Sequence, residues 1–135
     1  MTEKKLIHTK NFEIRWGDMD AYGHMNNTMY LFYTQEARFE LLTDNGIEIN
    51  LNGIAPVLAY TTCKFIKPIM YPESILVETW LVSIENKKTT FEHIIKSKTN
   101  LELIYAIAEA IIVWYDFSTK KSIEMPHHLK EIISK

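Results

Sequence analysis

The chain has 135 residues, enough for one ordinary domain whose core needs no disulfide or metal staple. Lys and Arg number 15 against 17 Asp and Glu, a net charge of −2 without the basic excess of a nucleic-acid binder. Hydrophobic residues at 47% and charged residues at 24% fit a globular protein and exclude a disordered one.

The lone cysteine, Cys63, cannot form an intrachain disulfide, and no Cys/His cluster has zinc spacing. A reducing, cytoplasmic compartment is therefore expected. The opening MTEKKLIHTK is charged with no apolar run behind it, unlike a secretory signal. The longest apolar run, Ala110–Tyr115, is far too short to span a membrane. With 4 Gly, 4 Pro, no repeat and no linker, the expectation is one domain over residues 1–135.

Ile7–Trp16 alternates as a strand, with Ile7, Thr9, Asn11, Glu13 and Arg15 on one side and His8, Phe12, Ile14 and Trp16 on the other. A polar knot follows, and then a helix from about Thr28 to Asp44, closed by Asn45-Gly46. Met29, Tyr30, Leu31, Phe32, Tyr33, Ala37, Phe39, Leu41 and Leu42 cover nearly its whole circumference, which predicts burial on all sides.

Pro56–Pro68, Ser74–Glu85, Thr89–Ser97 and Glu102–Asp116 read as strands, rich in β-branched and aromatic residues. The turns between them, such as Asn86-Lys87-Lys88 and Thr99-Asn100, are too short for parallel crossovers, so the strands are antiparallel. In the last strand Ala106, Ala108 and Ala110 share a face with Ile104, Ile112 and Trp114, leaving room for a helix to approach. Ile107, Glu109, Ile111 and Val113 take the other face, toward solvent or a partner subunit. Pro126–Lys135 reads as a short terminal helix after a proline start. The sum is an α+β domain in which a curved antiparallel sheet of five strands wraps one long helix.

The knot itself, Arg15–Tyr30, reads RWGDMDAYGHMNNTMY. On residue chemistry alone, Asp18 and Asp20 suit turns or caps, and Asn26 and Asn27 suit a helix cap. The two aspartates lack a third ligand nearby in sequence, so no metal is expected. Glu36 lies on the largely apolar helix one turn before Glu40, and like charges at that spacing repel. A partner from the sheet, or use as a water-binding carboxylate, would account for it.

The run Asp18-Met19-Asp20-Ala21-Tyr22-Gly23-His24-Met25-Asn26-Asn27, then Tyr30 and Glu36-Ala37-Arg38, resembles the 4-hydroxybenzoyl-CoA thioesterase-like family of hotdog-fold acyl-CoA thioesterases. Phe65-Ile66-Lys67-Pro68 and Tyr71-Pro72 are similar to that family's second-strand boundary, and the resemblance covers essentially the whole chain. It implies hydrolysis of an acyl thioester, carried by coenzyme A or by acyl-carrier protein, without a cofactor. It also implies that Asp20 is nucleophile or general base and that the amide near Asn27 holds the thioester carbonyl. The G-H-x-N-N version resembles the long-chain acyl-CoA and plant acyl-carrier-protein branches and brings in His24. Tyr22, Gly23, Met25, Asn26, Tyr30 and Glu36 are the substrate-binding candidates, and Asp18 is scaffold.

The implied chemistry is consistent with the residues. A carboxylate can attack a thioester or deprotonate water, and free amides at a helix N-terminus can hold the oxyanion. Tyr22, Tyr30, Phe32, Tyr33, Phe39 and Tyr60 are aromatic enough to line an aliphatic or an aromatic acyl pocket. Cys63 and His93 read as structural, His127 and His128 as surface residues, and Lys64, Lys67, Lys87, Lys88, Lys120 and Lys121 as ordinary solvated lysines. Two other readings stand: a non-catalytic acyl-CoA-binding module, and a hotdog 3-hydroxyacyl thioester dehydratase. The family's habit implies a homodimer or homotetramer with the site at the interface, and neither nucleic acid nor membrane is an expected partner.

Overall fold

The computed structural model describes residues 3–47 and 53–135. Strand β1 (Lys5–Glu13) leads through a short 3-10 turn (Trp16–Asp18) into helix α1 (Asn27–Asp44). Strands β2 (Ile54–Phe65), β3 (Ser74–Glu85), β4 (Lys88–Ser97) and β5 (Ile104–Asp116) follow. A three-residue β6 (Lys121–Ile123) and helix α2 (His127–Ile133) complete the chain. All pairings are antiparallel in the order β1-β3-β4-β5-β2, with β6 added on β5.

This is the hotdog arrangement: one long helix laid against a mostly antiparallel sheet, with α1 packed on β1, β3 and β5. The small residues of β5 make it possible. Ala106, Ala108 and Ala110 are buried and stand opposite Ile95, His93 and Phe91 of β4, so the helix can settle close to the sheet. Ala37, wholly buried, is the helix residue of matching size.

The core falls into two parts along the helix. At its N-terminal end Tyr30, Tyr33 and Ala37 pack with Ile14, Met25, Ile69 and Ile95. At its C-terminal end Leu41 packs with Phe91, Trp114 and Met125 and with Leu129 and Ile133 of α2. The C-cap is Asn45, followed by Gly46 at φ +81°, a left-handed conformation that glycine adopts without penalty.

Five sequence expectations change. A register shift between Leu6 and His8 breaks the alternation of β1, so Ile7 turns inward and packs on the second core alongside the half-buried His8. β1 also stops at Glu13, and Trp16 goes into the 3-10 turn, largely exposed. The helix is not enclosed all round: Leu31, Gln35, Phe39 and Thr43, spaced by four, are exposed. Leu31 and Phe39 therefore belong to an open stripe that periodicity alone could not separate from the core face. Finally, Pro126 is the N-cap of α2 and not its first turn. The sixth strand, too short to carry a pattern, adds to the five that were expected.

Candidate active site

The chain between β1 and α1 is pinned at several points. Met19 and Met25 form an isolated antiparallel bridge, and the Asp20 N–H donates to the His24 carbonyl at 2.9 Å. The Gly23 N–H donates back to the Asp20 carbonyl at 3.1 Å, with Gly23 at φ +83°. Met25 N–H reaches the Ile69 carbonyl and Asn26 N–H the Asp18 carbonyl, each at 2.8 Å. These bonds fold residues 19–25 into a tight loop at the start of the helix.

Asp18 anchors the loop from beneath. Its carboxylate is buried and accepts from Arg15 N–H at 2.9 Å, from Arg15 Nε at 3.0 Å, and from the Tyr33 hydroxyl. Burial pushes this carboxyl up, but the Tyr33 and Arg15 hydrogen bonds outweigh it and leave it below the usual aspartate range. Burial, then the Asp18 contact, pushes the Tyr33 phenol up to about 12. With so many partners, Asp18 has a scaffold's environment.

Asp20, two residues on, is exposed. One carboxylate oxygen, Oδ1, accepts from Tyr22 N–H at 2.8 Å in an Asx-turn, which fixes the side chain's direction. Oδ2 has no protein donor among the described residues, so it is available to a ligand.

The helix N-terminus faces the same space. Asn26 is the N-cap, and its side-chain oxygen accepts from Thr28 N–H at 3.0 Å and from the Thr28 hydroxyl at 2.9 Å. Met29 N–H donates to the Asn26 carbonyl at 2.9 Å. Asn27, the first helical residue, is passed over: no acceptor for its N–H is found among the described residues. A free amide at a helix start carries the positive end of the dipole and suits a developing negative charge.

Asp20, His24, Met25, Asn27 and Tyr30 line one cavity of about 460 Å³, closed on its other side by Phe65, Ile66, Lys67 and Pro68. Phe65 packs edge-on against Tyr30, ring centroids 4.9 Å apart. Burial is the main cause that pushes the Tyr30 phenol up, so it stays protonated as a donor. Of the expected site residues, Tyr22 and Gly23 lie outside the cavity wall, Tyr22 in solvent and Gly23 in the turn. Asn26 caps the helix, and Glu36 is half-buried with no hydrogen-bond partner among the described residues.

On sequence Lys67 reads as one solvated lysine among several. It reaches the cavity because Ile66 N–H (2.9 Å) and Lys67 N–H (3.1 Å) both donate to the Tyr105 carbonyl, which carries the end of β2 past the loop. Only the order of strands brings residue 67 beside residue 20; no local pattern announces it.

Among the described residues one His/Asp/Glu cluster has metal-ligand spacing, His8 with Glu40 and Asp44. It lies on β1 and the C-terminal half of α1, outside the Asp20 cavity. Its Glu40 already takes His8 Nε2 at 3.0 Å and Lys10 Nζ at 2.6 Å, an ion-pair group that ties β1 to α1.

Residues 14–133 match the family model of the thioesterase-like superfamily, and the chain belongs to that family. It is 30% identical to acyl-acyl carrier protein thioesterase ATL3, chloroplastic, of Arabidopsis thaliana over 113 residues, 82% of this chain and 59% of that protein. The chain thus spans about three fifths of that relative's length. It is 24% identical to the long-chain acyl-CoA thioesterase FadM of Escherichia coli (strain K12) over 123 residues, 88% of this chain and 91% of FadM. The solved PA2801 protein of Pseudomonas aeruginosa superposes with a TM-score of 0.91 at 29% identity, covering 96% of this chain and 99% of that one. No helix among the described residues is long and apolar enough to cross a membrane.

Proposed function

We propose that this chain forms one catalytic domain that hydrolyses an acyl thioester to the free acid and the thiol. The observation that carries the reading is the convergence, in one open cavity, of the Asp20 carboxylate with an unmatched N–H at the start of α1. The relatives named as thioesterases of acyl-CoA and acyl-acyl carrier protein support the same reaction class.

In this reading the thioester carbonyl oxygen takes the Asn27 N–H, where the helix dipole stabilises the oxyanion. Asp20 Oδ2 either attacks the carbonyl carbon, expelling thiolate and leaving an anhydride that water opens, or removes a proton from the attacking water. Both routes consume one water and return one acid and one thiol. Tyr30 and Phe65 form the apolar wall, His24 lies at the cavity edge, and Lys67 brings an ammonium group to the rim. Tyr22, Gly23, Asn26 and Glu36 act through the loop and the helix.

The test is released-thiol detection with an acyl-CoA panel, comparing the protein with Asp20→Asn. A loss of at least about a hundredfold in kcat is expected. Unchanged turnover in Asp20→Asn would reject the carboxylate's role. No turnover on any thioester, with binding intact, would favour the binding-module reading. A single turnover in ¹⁸O-water tests direct attack: if water opens the anhydride at the Asp20 carbon, the first acid released carries an unlabelled enzyme oxygen, whereas water attack at the acyl carbon labels it.

A second copy completes the reading. β2 ends the sheet with an outer edge that no described strand pairs, and it exposes Val57, Leu58, Tyr60 and Phe65, apolar side chains that a homodimer would cover.

A further inference from the structure

Arg38 is 9% exposed, yet no carboxylate pairs with its guanidinium among the described residues. Its hydrogen-bond partner is His93 Nε2, 3.1 Å from Nη1. His93 is wholly buried, and its Nδ1 lies 3.0 Å from the Thr79 hydroxyl. A guanidinium only donates, so Nε2 accepts and Nδ1–H donates to Thr79. The imidazole is therefore neutral, and burial followed by the Arg38 charge holds it down to about 3. A neutral ring satisfies one N–H and none of the charge. An arginine side chain has five N–H donors and stays protonated, so Arg38 keeps a largely buried positive charge, and His93 is its one hydrogen-bond partner among the described residues.

The surroundings are apolar. Arg38 lines a cavity of about 130 Å³ with Leu41, Phe91, Ile112 and Trp114. Trp114 is buried, and its indole N–H has no hydrogen-bond partner among the described residues. An adjoining cavity of about 240 Å³ shares Gln35, Arg38 and Leu58 with the first. Neither includes a residue of the Asp20 loop. Arg38 stands 11 residues beyond Asn27 on α1, roughly 16 Å at a rise of 1.5 Å per residue.

A buried cation without a counter-charge and a buried N–H without an acceptor are each costly. Arg38 and Trp114 line the same apolar cavity, and a carboxylate drawn into it would supply the missing counter-charge and the missing acceptor. We infer that Arg38 and Trp114 form a carboxylate site whose ligand is an acid with an apolar tail, the carboxylate on the two donors and the hydrocarbon along Leu41, Phe91 and Ile112. The carboxylate belongs either to a free acid or to the far end of an acyl group bound at the other end of the helix. The second source rests on the thioesterase reading; the first does not.

Calorimetric titration with octanoate and with octanamide tests the site without any turnover. Octanoate is expected to bind at least tenfold more tightly than the amide, and Arg38→Met to abolish that preference. Arg38→Met removes an uncompensated buried charge but also the donor to His93 Nε2, so a cooperative melt, whichever way Tm moves, checks that the variant is folded. Trp114→Phe keeps the shape, deletes the N–H, and lowers octanoate affinity severalfold. Should Arg38→Met fail to fold, the wild-type preference and Trp114→Phe still decide. Equal affinity for acid and amide, or an octanoate affinity unmoved by both variants, overturns the proposal.

The kcat/KM of suberoyl-CoA against octanoyl-CoA then separates the two sources. A tenfold preference for the suberoyl thioester, lost in Arg38→Met, assigns the carboxylate to the acyl chain. No preference alongside octanoate binding assigns it to a free acid. Inactivity on both thioesters and on the whole acyl panel refutes the thioesterase reading and leaves calorimetry to judge the site. If neither octanoate nor suberate binds and Arg38→Met weakens self-association, the acceptor is a carboxylate of a second copy and the proposal falls.

Discussion

Asp20 and His24 are joined through their main chains, the Asp20 N–H donating to the His24 carbonyl at 2.9 Å. What fixes Asp20 is therefore the course of the backbone between them, and that course depends on Gly23 at φ +83°. No atom outside the loop would touch a methyl group at Gly23, so Gly23→Ala tests backbone strain and nothing else. A left-handed alanine costs about 1–2 kcal/mol. The loop relieves that strain by shifting, so kcat should fall tenfold or more with a Tm loss of only a few degrees. Steady-state kinetics beside thermal melts checks this; a large Tm loss with kcat intact would mean that Gly23 serves the fold alone.

The unmatched Asn27 N–H can be removed without removing the helix. Asn27 is the first helical position, where proline is tolerated. The preceding Asn26 sits at φ −58°, ψ 137°, the extended conformation that a following proline demands. Asn27→Pro should therefore keep the fold and lose about 10²–10³ in kcat, the usual cost of deleting an oxyanion donor. Asn27→Ala, which keeps the N–H, should retain most of the activity. Equal losses in the two variants would shift the role to the Asn27 side chain.

How much of this was readable in advance depends on the range of the interaction. The loop motif, the helix and its Gly46 stop, the four long strands and the alanine face of β5 all follow from local spacing, and the structure has each of them. The helix's open stripe did not follow, because Leu31 and Phe39 are as apolar as Tyr30 and Leu41, and only the sheet's extent decides which are covered. Ile7 was misassigned because a bulge leaves no mark in a period-two pattern. Lys67 and Trp114 depend on strand order, which places residues from opposite ends of the chain in one wall. Arg38 reads as half of a Glu-Ala-Arg motif; that no carboxylate among the described residues pairs with it concerns every neighbour in space, which local spacing does not carry.

The Asp18 anchor predicts an acid limit to stability. The folded carboxyl lies below its usual value near 3.8, so its stabilisation is complete above that pH and disappears as pH falls through the lower folded value. Tyr33→Phe removes one of its donors while leaving both Arg15 contacts, and should cost about 1–3 kcal/mol at neutral pH. The same variant should begin to unfold at a higher pH than the wild type, because its Asp18 is held down less strongly. Urea melts at pH 7 and pH 3.5 provide the comparison; identical losses at both would detach the hydroxyl from the titration.

The open edge of β2 predicts self-association. Light scattering on the wild type should give the mass of a dimer or a multiple of it. Val57 and Tyr60, 40% and 54% exposed, stand on this edge strand. Charges there oppose edge pairing, so Val57→Lys with Tyr60→Glu should shift the mass toward the monomer and lower activity with it. A wild-type monomer that is fully active would remove the second copy from the reaction.

His93 predicts a second and separate pH effect. Its folded value is held at about 3 by burial, then by the Arg38 and His8 charges, against an ordinary value of 6.5. Between those limits the unfolded chain binds a proton that the folded chain refuses, so stability declines as pH is lowered from 6.5 toward 3. The slope approaches about 1.4 kcal/mol per pH unit for a single group. The window from pH 6.5 to 4 lies above the Asp18 range; Glu40, held below its usual 4.5 chiefly by the Lys10 hydrogen bond, contributes toward its lower end in both proteins alike, so the difference between them reports the histidine. His93→Gln cannot take up that proton, and its amide can still accept from Arg38. Its Tm should start lower at pH 7 and fall less steeply through the window, as circular-dichroism melts at half-unit intervals would show. Parallel slopes in the two proteins would mean that His93 opens to solvent and protonates in the folded state, and the neutral ring beneath Arg38 would have to be given up.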